Sequence, residues 1–107
     1  GDYSVYRGSD NDLVEVTHST LNNSVINTGY RGDDKIDVKS GTITNTYIST
    51  SDTGLSDVTV DTNSTLKNVQ IENQGGGTVD LSGDLKNVRV SVTNNDLDNG
   101  GTNRERT

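Results

Sequence analysis

The sequence predicts an all-β protein built as a parallel β-solenoid, with three short strands in each coil of about 22 residues and four to five stacked coils. Two observations lead to this prediction. Gly, Ser, Thr, Asn and Asp make up 64 of the 107 residues, so helix formers are scarce and side chains that compete for backbone hydrogen bonds are abundant. A short apolar motif also recurs four times at a nearly constant interval.

The recurring motif has two parts. The first, of the type V-x-V, is repeated at steps of 22, 22 and 21 residues and starts at Val14, Ile36, Val58 and Val79. The second, of the type L-x-N-x-x-I, follows each copy of the first, and its Asn positions are Asn23, Asn45, Asn68 and Asn87. Four copies with the same internal offsets favour an ordered repeat over a disordered chain.

Each part of the motif predicts one element of the coil. The V-x-V part is the first strand, because a period of two places both apolar side chains on one face. The L-x-N part keeps the period of two and is the second strand. The offset of three residues from Asn to the next aliphatic residue breaks the alternation, so a bend is expected at Asn, which tolerates left-handed backbone. A Gly-rich turn, such as 74–77, follows the third strand.

Stacked coils would align the aliphatic residues in four interior columns and the Asn residues in a hydrogen-bonded ladder. The expected columns are Val14/Ile36/Val58/Val79, Val16/Val38/Val60/Leu81, Leu21/Ile43/Leu66/Leu85 and Ile26/Ile48/Ile71/Val90. The ladder would satisfy amides that are costly to bury. An antiparallel β-sandwich is the alternative, but it supplies no reason for a recurrent Asn. We expect residues 1–94 to form the coils and 95–107 to form a polar tail or connection.

The L-x-N-x-x-I segment after a V-x-V strand resembles the right-handed parallel β-helix of pectate lyases and phage tailspikes, over about residues 12–92. The resemblance implies a structural or receptor- or carbohydrate-binding segment of an extracellular assembly, such as a phage tail spike or fibre, outside the cell or on the virion surface. The alternatives are a fragment of a polysaccharide lyase or glycoside hydrolase and a subunit of a surface filament or adhesin. The expected partners are a cell-surface glycan and other copies of the chain or a larger parent assembly, as in a trimer.

A near-duplicate segment supplies the candidate binding residues. Two Tyr-Arg-Gly segments lie 24 residues apart, so neighbouring turns could bring their side chains together. A tyrosine offers a flat apolar face and a hydroxyl, while arginine and aspartate hydrogen-bond sugar hydroxyls. The candidate binding residues are Tyr6, Arg7, Tyr30, Arg31 and Asp33. A turn stabilised by the same contacts is the structural alternative.

The outward side of the first strand carries Glu15, Asp37 and Asp80 at equivalent positions, and these are the candidate catalytic residues. Neighbouring coils would hold the first two about 5 Å apart, near the separation used by retaining glycosidases. Lys35 and Lys39 flank Asp37, however, so a solvated surface of alternating charge is the favoured interpretation and the chain is not assigned as an enzyme.

The composition argues against several other classes. A net charge of -7 makes the chain a poor partner for nucleic acid, and no apolar run is long enough for membrane insertion. The absence of cysteine excludes disulfides and thiolate metal sites. No metal or cofactor is expected. Calcium is only a weak candidate, at Asp96 and Asp98 or at the acidic turns near Asp10 and Asp33, because the Asp96 segment lacks the glutamate that completes a calcium loop.

Overall fold

The computed structural model describes residues 4–6, 11–29, 31–50, 54–92 and, for the backbone alone, 103–106. These residues contain eleven strands and no helix. The strands are β1 (Ser4–Tyr6), β2 (Leu13–Thr17), β3 (Thr20–Asn22), β4 (Val25–Asn27), β5 (Lys35–Lys39), β6 (Thr42–Ser49), β7 (Ser56–Val60), β8 (Thr65–Asn73), β9 (Gly77–Leu81), β10 (Asp84–Val92) and β11 (Asn103–Arg106).

The described strands form two sheets, and they pair in parallel within each sheet. Sheet A has the order β1-β4-β6-β8-β10, with β3 also pairing with β6, and sheet B has the order β11-β9-β7-β5-β2. The chain passes alternately from one sheet to the other and advances by one strand at each return. It therefore makes four coils, namely β2–β4, β5–β6, β7–β8 and β9–β10. The predicted parallel β-solenoid is confirmed.

Each coil bends at its motif asparagine, as the sequence predicts. The φ angles of Asn23, Asn45, Asn68 and Asn87 lie between 51° and 56°, in the left-handed region. In the first coil the bend separates β3 from β4. In the later coils the strand continues through the bend, and its pairing with the neighbouring strand skips the Asn residue. The second and third predicted strands are thus two arms of one bent strand.

The four predicted aliphatic columns are present and form the core. Sheet B aligns Val14 with Ile36 and Val16 with Val38, and the same register continues to the fourth coil. Sheet A likewise aligns Leu21 with Ile43 and continues to Leu85. In the two middle coils, all aliphatic residues of these columns are at most 1% exposed. Each such side chain contributes about 1.5–3 kcal/mol through burial, so the columns are the main source of stability.

Polar side chains also stack inside the coils where sheet A ends. Thr50 and Asn73 are buried, and the Thr50 hydroxyl donates to Asn73 Oδ1 at 3.2 Å. The Asn73 amide in turn donates to the Ser56 carbonyl oxygen at 2.9 Å, which joins the end of β8 to the start of β7. Because these groups hydrogen-bond to one another, the polar stack escapes the cost of burying unsatisfied amides and hydroxyls.

The turns between the sheets allow close contact between successive coils. Gly77 has a φ of 107°, and a Cβ atom at this position would lie 1.9 Å from the Ser56 carbonyl oxygen. Gly54 has a φ of 99° and a similar contact with the Gly32 carbonyl oxygen at 2.1 Å. Only glycine combines such a φ with so close a backbone approach.

Part of the region predicted as a polar tail or connection forms a strand. β11 pairs with β9 in the register Asn103↔Gly77, and it extends sheet B by one strand beyond the fourth coil. Residues 93–102 and 107 lie outside the described residues, so the division at residue 94 stays a prediction.

Candidate functional site

The bend of sheet A creates a groove on its outer surface, with a volume of about 590 Å³. The left-handed asparagines turn the outer face of the sheet at the same place in every coil, so the groove crosses all four coils. It is lined by Asn23, Ser24, Val25, Asn45, Thr46, Tyr47, Asn68, Val69, Gln70, Asn87 and Arg89. The candidate site is therefore a repeating surface, to which each coil contributes equivalent positions.

An amide ladder runs along the groove. Asn68 Nδ2 donates to Asn45 Oδ1 at 3.0 Å, and Asn87 Nδ2 donates to Asn68 Oδ1 at 2.7 Å. The ladder is confirmed, but the expectation that its amides are buried is wrong. All four motif asparagines are exposed, because the left-handed bend directs them away from the aliphatic interior. Their remaining donors and acceptors consequently face solvent.

A second column lies two residues after each asparagine. The strand register aligns Val25, Tyr47, Gln70 and Arg89 in successive coils. The column changes from an aliphatic side chain in the first coil to a phenol, an amide and a guanidinium in the next three. Val25 and Tyr47 are half-buried, whereas Gln70 and Arg89 are exposed.

Glu72 organises the middle of this column. The Tyr47 hydroxyl donates to Glu72 Oε2 at 2.5 Å, and Gln70 Nε2 donates to Glu72 Oε1 at 3.1 Å. The hydrogen bond to the Glu72 carboxylate raises the pKa of Tyr47, and partial burial raises this pKa further. The phenol therefore stays protonated at neutral pH, and its ring is held in place on the outer face of the sheet.

The groove combines the groups that recognise hydroxyl-rich ligands. The amides of Asn45, Asn68 and Gln70 supply both donors and acceptors, while Arg89 supplies several donors in a planar fork. The Tyr47 ring adds a flat apolar surface. Since neighbouring coils are about 4.8 Å apart, these groups form an array with a regular spacing along the solenoid axis.

The predicted Tyr-Arg-Asp patch is described only in part. Tyr6 is 66% exposed and is aligned with Asn27 of β4, and Arg31 is exposed in the connection after that strand. Asp33 Oδ1 accepts a hydrogen bond of 2.8 Å from the Leu55 backbone N–H, so this carboxylate holds two coils together. Arg7 and Tyr30 lie outside the described residues, and the patch stays a prediction.

The predicted carboxylate column lies on the outer face of sheet B. Glu15 is aligned with Asp37 in the next coil, and Asp80 is aligned with Thr59, which separates it from Asp37. Asp37 and Asp80 are half-buried, and Glu15 is exposed. The structure thus brings two of the three carboxylates to neighbouring positions, on a different sheet from the groove.

Among the described residues, no group of three or more His, Cys, Asp or Glu side chains could hold a metal ion. Asp10, Asp96 and Asp98, which were weak candidates for calcium, lie outside the described residues. Within the described residues, no helix is long and apolar enough to cross a membrane.

Sequence reasoning missed the column of Val25, Tyr47, Gln70 and Arg89 in the groove. Tyr47, Gln70 and Arg89 follow their motif asparagines by two residues each, so the repeat itself carried the signal. They were overlooked because their side chains differ from coil to coil, whereas the motif was recognised by residues that stay the same.

Comparison of the chain with protein-family models, with curated proteins and with solved structures finds no match.

Proposed function

We propose that the chain is a structural, carbohydrate-binding segment of an extracellular assembly, such as a phage tail spike or fibre. The observation that carries the proposal is the groove along sheet A, where the Asn ladder lies beside Tyr47, Gln70 and Arg89. Hydrogen-bonding groups at a repeated spacing suit a polymer whose hydroxyls also repeat. Binding requires no rearrangement of Tyr47 or Gln70, since Glu72 already holds both side chains by hydrogen bonds.

We further propose that the solenoid is of the right-handed type found in pectate lyases and phage tailspikes. The left-handed Asn in every coil supports this assignment, as do the two hydrogen bonds of the ladder. The same likeness favours a location outside the cell or on the virion surface. Stacked repeats form extended surfaces of the kind that repeat proteins use for binding.

The ends of the two sheets support a partnership with another chain or with further coils. Among the described strands, β2 is the last strand of sheet B at one end, and β10 is the last strand of sheet A at the other. An end strand carries backbone groups that can pair with an additional strand. Leu85, Val88 and Val90 of β10 are only partly buried, unlike their counterparts in the third coil. We propose that a further coil, from another copy or from a longer parent, covers these edges.

The binding proposal is tested with the full chain on a glycan array. We expect binding to at least one surface polysaccharide and a large loss of signal in Tyr47→Ala. Tyr47→Phe keeps the ring and should retain part of the binding. Thr59→Ala, on the outer face of sheet B, is the matched control and should bind as the unmodified chain does. Circular dichroism establishes that each variant is folded. Binding that is unchanged in Tyr47→Ala would remove the groove as the site, and no binding to any glycan would overturn the proposed function.

Self-association is tested by sedimentation velocity over a range of protein concentrations. An increase in mass with concentration is expected if copies stack through their open edges. A single monomeric species at every concentration would contradict stacking between copies.

A further inference from the structure

We propose that the groove binds a linear anionic polysaccharide, whose carboxylate or sulfate groups lie against Lys67, Lys86 and Arg89. This inference rests on the proposed function and specifies the class of ligand for the same surface. It starts from the distribution of charge, because these three cations lie together on a chain whose net charge is -7.

The three cations border the groove in the third and fourth coils. The register of β8 and β10 aligns Lys67 with Lys86 on the strand arm that precedes the Asn bend. It aligns Gln70 with Arg89 on the arm that follows the bend. All four side chains are exposed, and the motif asparagines lie between the two pairs. Positive charge therefore flanks the ladder on both sides at the C-terminal end of the groove.

The alignment of Lys67 with Lys86 is unfavourable for the protein alone. Like charges directly opposite each other on neighbouring strands are destabilising. Among the described residues, no hydrogen bond or ion pair neutralises either lysine or Arg89. A ligand with repeated negative charges would relieve this repulsion when bound, and the spacing of about 4.8 Å between coils favours a ligand extended along the solenoid axis.

Two acidic groups lie near the three cations and reduce the positive charge of this surface without cancelling it. Glu72 lies two residues beyond Gln70 on β8, and it keeps its negative charge because both of its hydrogen-bond donors, Tyr47 and Gln70, are neutral. Asp84 is exposed two residues before Lys86 on β10, so it offsets part of the charge of the lysine pair. On sheet B, by contrast, Lys35 is aligned with Asp57 and lies on the same strand as Asp37, so its charge is balanced locally.

The groove favours a polysaccharide over a nucleic acid. Proteins that bind single-stranded nucleic acid stack successive bases on several aromatic side chains in a strongly positive channel. Among the described residues that line the groove, Tyr47 is the only aromatic one, and the chain as a whole is acidic. The amides of the ladder instead match the hydroxyls that separate the charged groups of an acidic polysaccharide.

The test measures binding of the full chain to alginate, a linear uronate polymer, and to the same polymer with its carboxyl groups reduced to alcohols. We expect alginate to bind about tenfold more tightly than the reduced polymer at low salt, and the difference to shrink as the salt concentration rises. Lys67→Gln combined with Lys86→Gln should lower the affinity for alginate severalfold, and adding Arg89→Gln should bring the loss to about tenfold. The matched control for the double variant is Lys35→Gln with Lys39→Gln. It changes the net charge by the same amount as the double variant and should leave the affinity within twofold.

Each contrary outcome has a distinct meaning. Equal binding of alginate and reduced alginate would leave glycan binding in place but overturn the anionic ligand. Unchanged affinity in the Lys67/Lys86 variant, together with its aggregation in size-exclusion chromatography, would show that the lysines only protect the β10 edge, and would also overturn the inference. Tighter binding of an oligothymidylate than of alginate would overturn it in favour of nucleic acid. A glycan array without any ligand would remove the proposed function itself.

Discussion

Tyr47 of the second coil donates its phenolic hydrogen to Glu72 of the third coil across 2.5 Å. This hydrogen bond joins two neighbouring turns of the solenoid on their outer surface and holds the tyrosine ring at the edge of the groove. It links the packing of coils to the candidate binding surface, because the same carboxylate also accepts a hydrogen bond from Gln70.

The first prediction concerns the ionisation of Tyr47. The hydrogen bond to Glu72 raises its pKa above the usual 10.0, so the folded state holds this proton more tightly than the unfolded state does. Its contribution to stability is complete below pH 10 and is lost as the pH rises through the folded pKa. Glu72→Gln should lower the pKa of Tyr47, as followed by ultraviolet absorbance against a Tyr47→Phe reference. An unchanged titration curve in Glu72→Gln would contradict the hydrogen bond.

The second prediction concerns acid stability at the turn of the third coil. The pKa of Asp61 is lowered, chiefly because its carboxylate accepts a hydrogen bond from the Ser64 hydroxyl and then from the Ser40 backbone N–H. Stability from this group is therefore present above its ordinary pKa of 3.8 and is lost as the pH falls through the folded value. Asp61→Asn should reduce stability at pH 7 and weaken its dependence on pH in this acidic range, as measured by urea unfolding. Identical pH profiles for the two proteins would contradict the assignment.

The third prediction concerns the ladder in the middle of the stack. Asn68→Ala removes both ladder hydrogen bonds and forces an alanine to a φ of 56°, so we expect a loss of about 2 kcal/mol. Asn68→Gly removes the same hydrogen bonds without the steric strain and should cost less. Urea unfolding at neutral pH distinguishes the two. Equal losses would mean that the left-handed backbone contributes nothing to the preference for Asn.

The fourth prediction concerns Gly77, the first residue of β9. Gly77→Ala places a Cβ atom 1.9 Å from the Ser56 carbonyl oxygen at a positive φ, so we expect a loss of more than about 3 kcal/mol or failure to fold. Gly41→Ala is the comparison, since Gly41 does not have a positive φ and its Cβ would meet the Val38 side chain at 2.8 Å rather than a backbone carbonyl. Gly41→Ala should lower the melting temperature less than Gly77→Ala does. A larger decrease for Gly41→Ala would contradict the described backbone at Gly77.

The fifth prediction uses two leucines of one column. Leu66 lies in the third coil with no exposed surface, whereas Leu85 lies above it in the fourth coil and is only partly buried. We expect Leu66→Ala to cost about 3–4 kcal/mol and Leu85→Ala about half as much. Equal losses, measured by chemical unfolding, would show that the fourth coil is covered as fully as the third.

Much of the architecture could be read from the repeat. The interval of about 22 residues and the alternation of aliphatic residues predicted the parallel coils and all four interior columns. The left-handed bend was predictable at Asn45, because few other residues tolerate that backbone and the aliphatic period breaks there. These features follow from local geometry that every coil repeats.

The residues of the candidate site were harder to predict from the repeat. Segments of similar sequence predict a patch around Tyr6, and the patch stays a prediction because Tyr30 lies outside the described residues. The register of β1 with β4 aligns Tyr6 with Asn27. The contact between Tyr47 and Glu72, 25 positions apart, depends on how far each coil is displaced along the axis.

The amino-acid order alone therefore determined that the chain coils, which side chains enter its interior and where each coil bends, since steric limits and apolar periodicity act within a few residues. Only the tertiary structure decided that the Asn ladder faces solvent and that Lys67 lies beside Lys86, with Arg89 across the bend. Those relationships arise between coils, where strand pairing sets the register and the direction of the bend sets the exposed face.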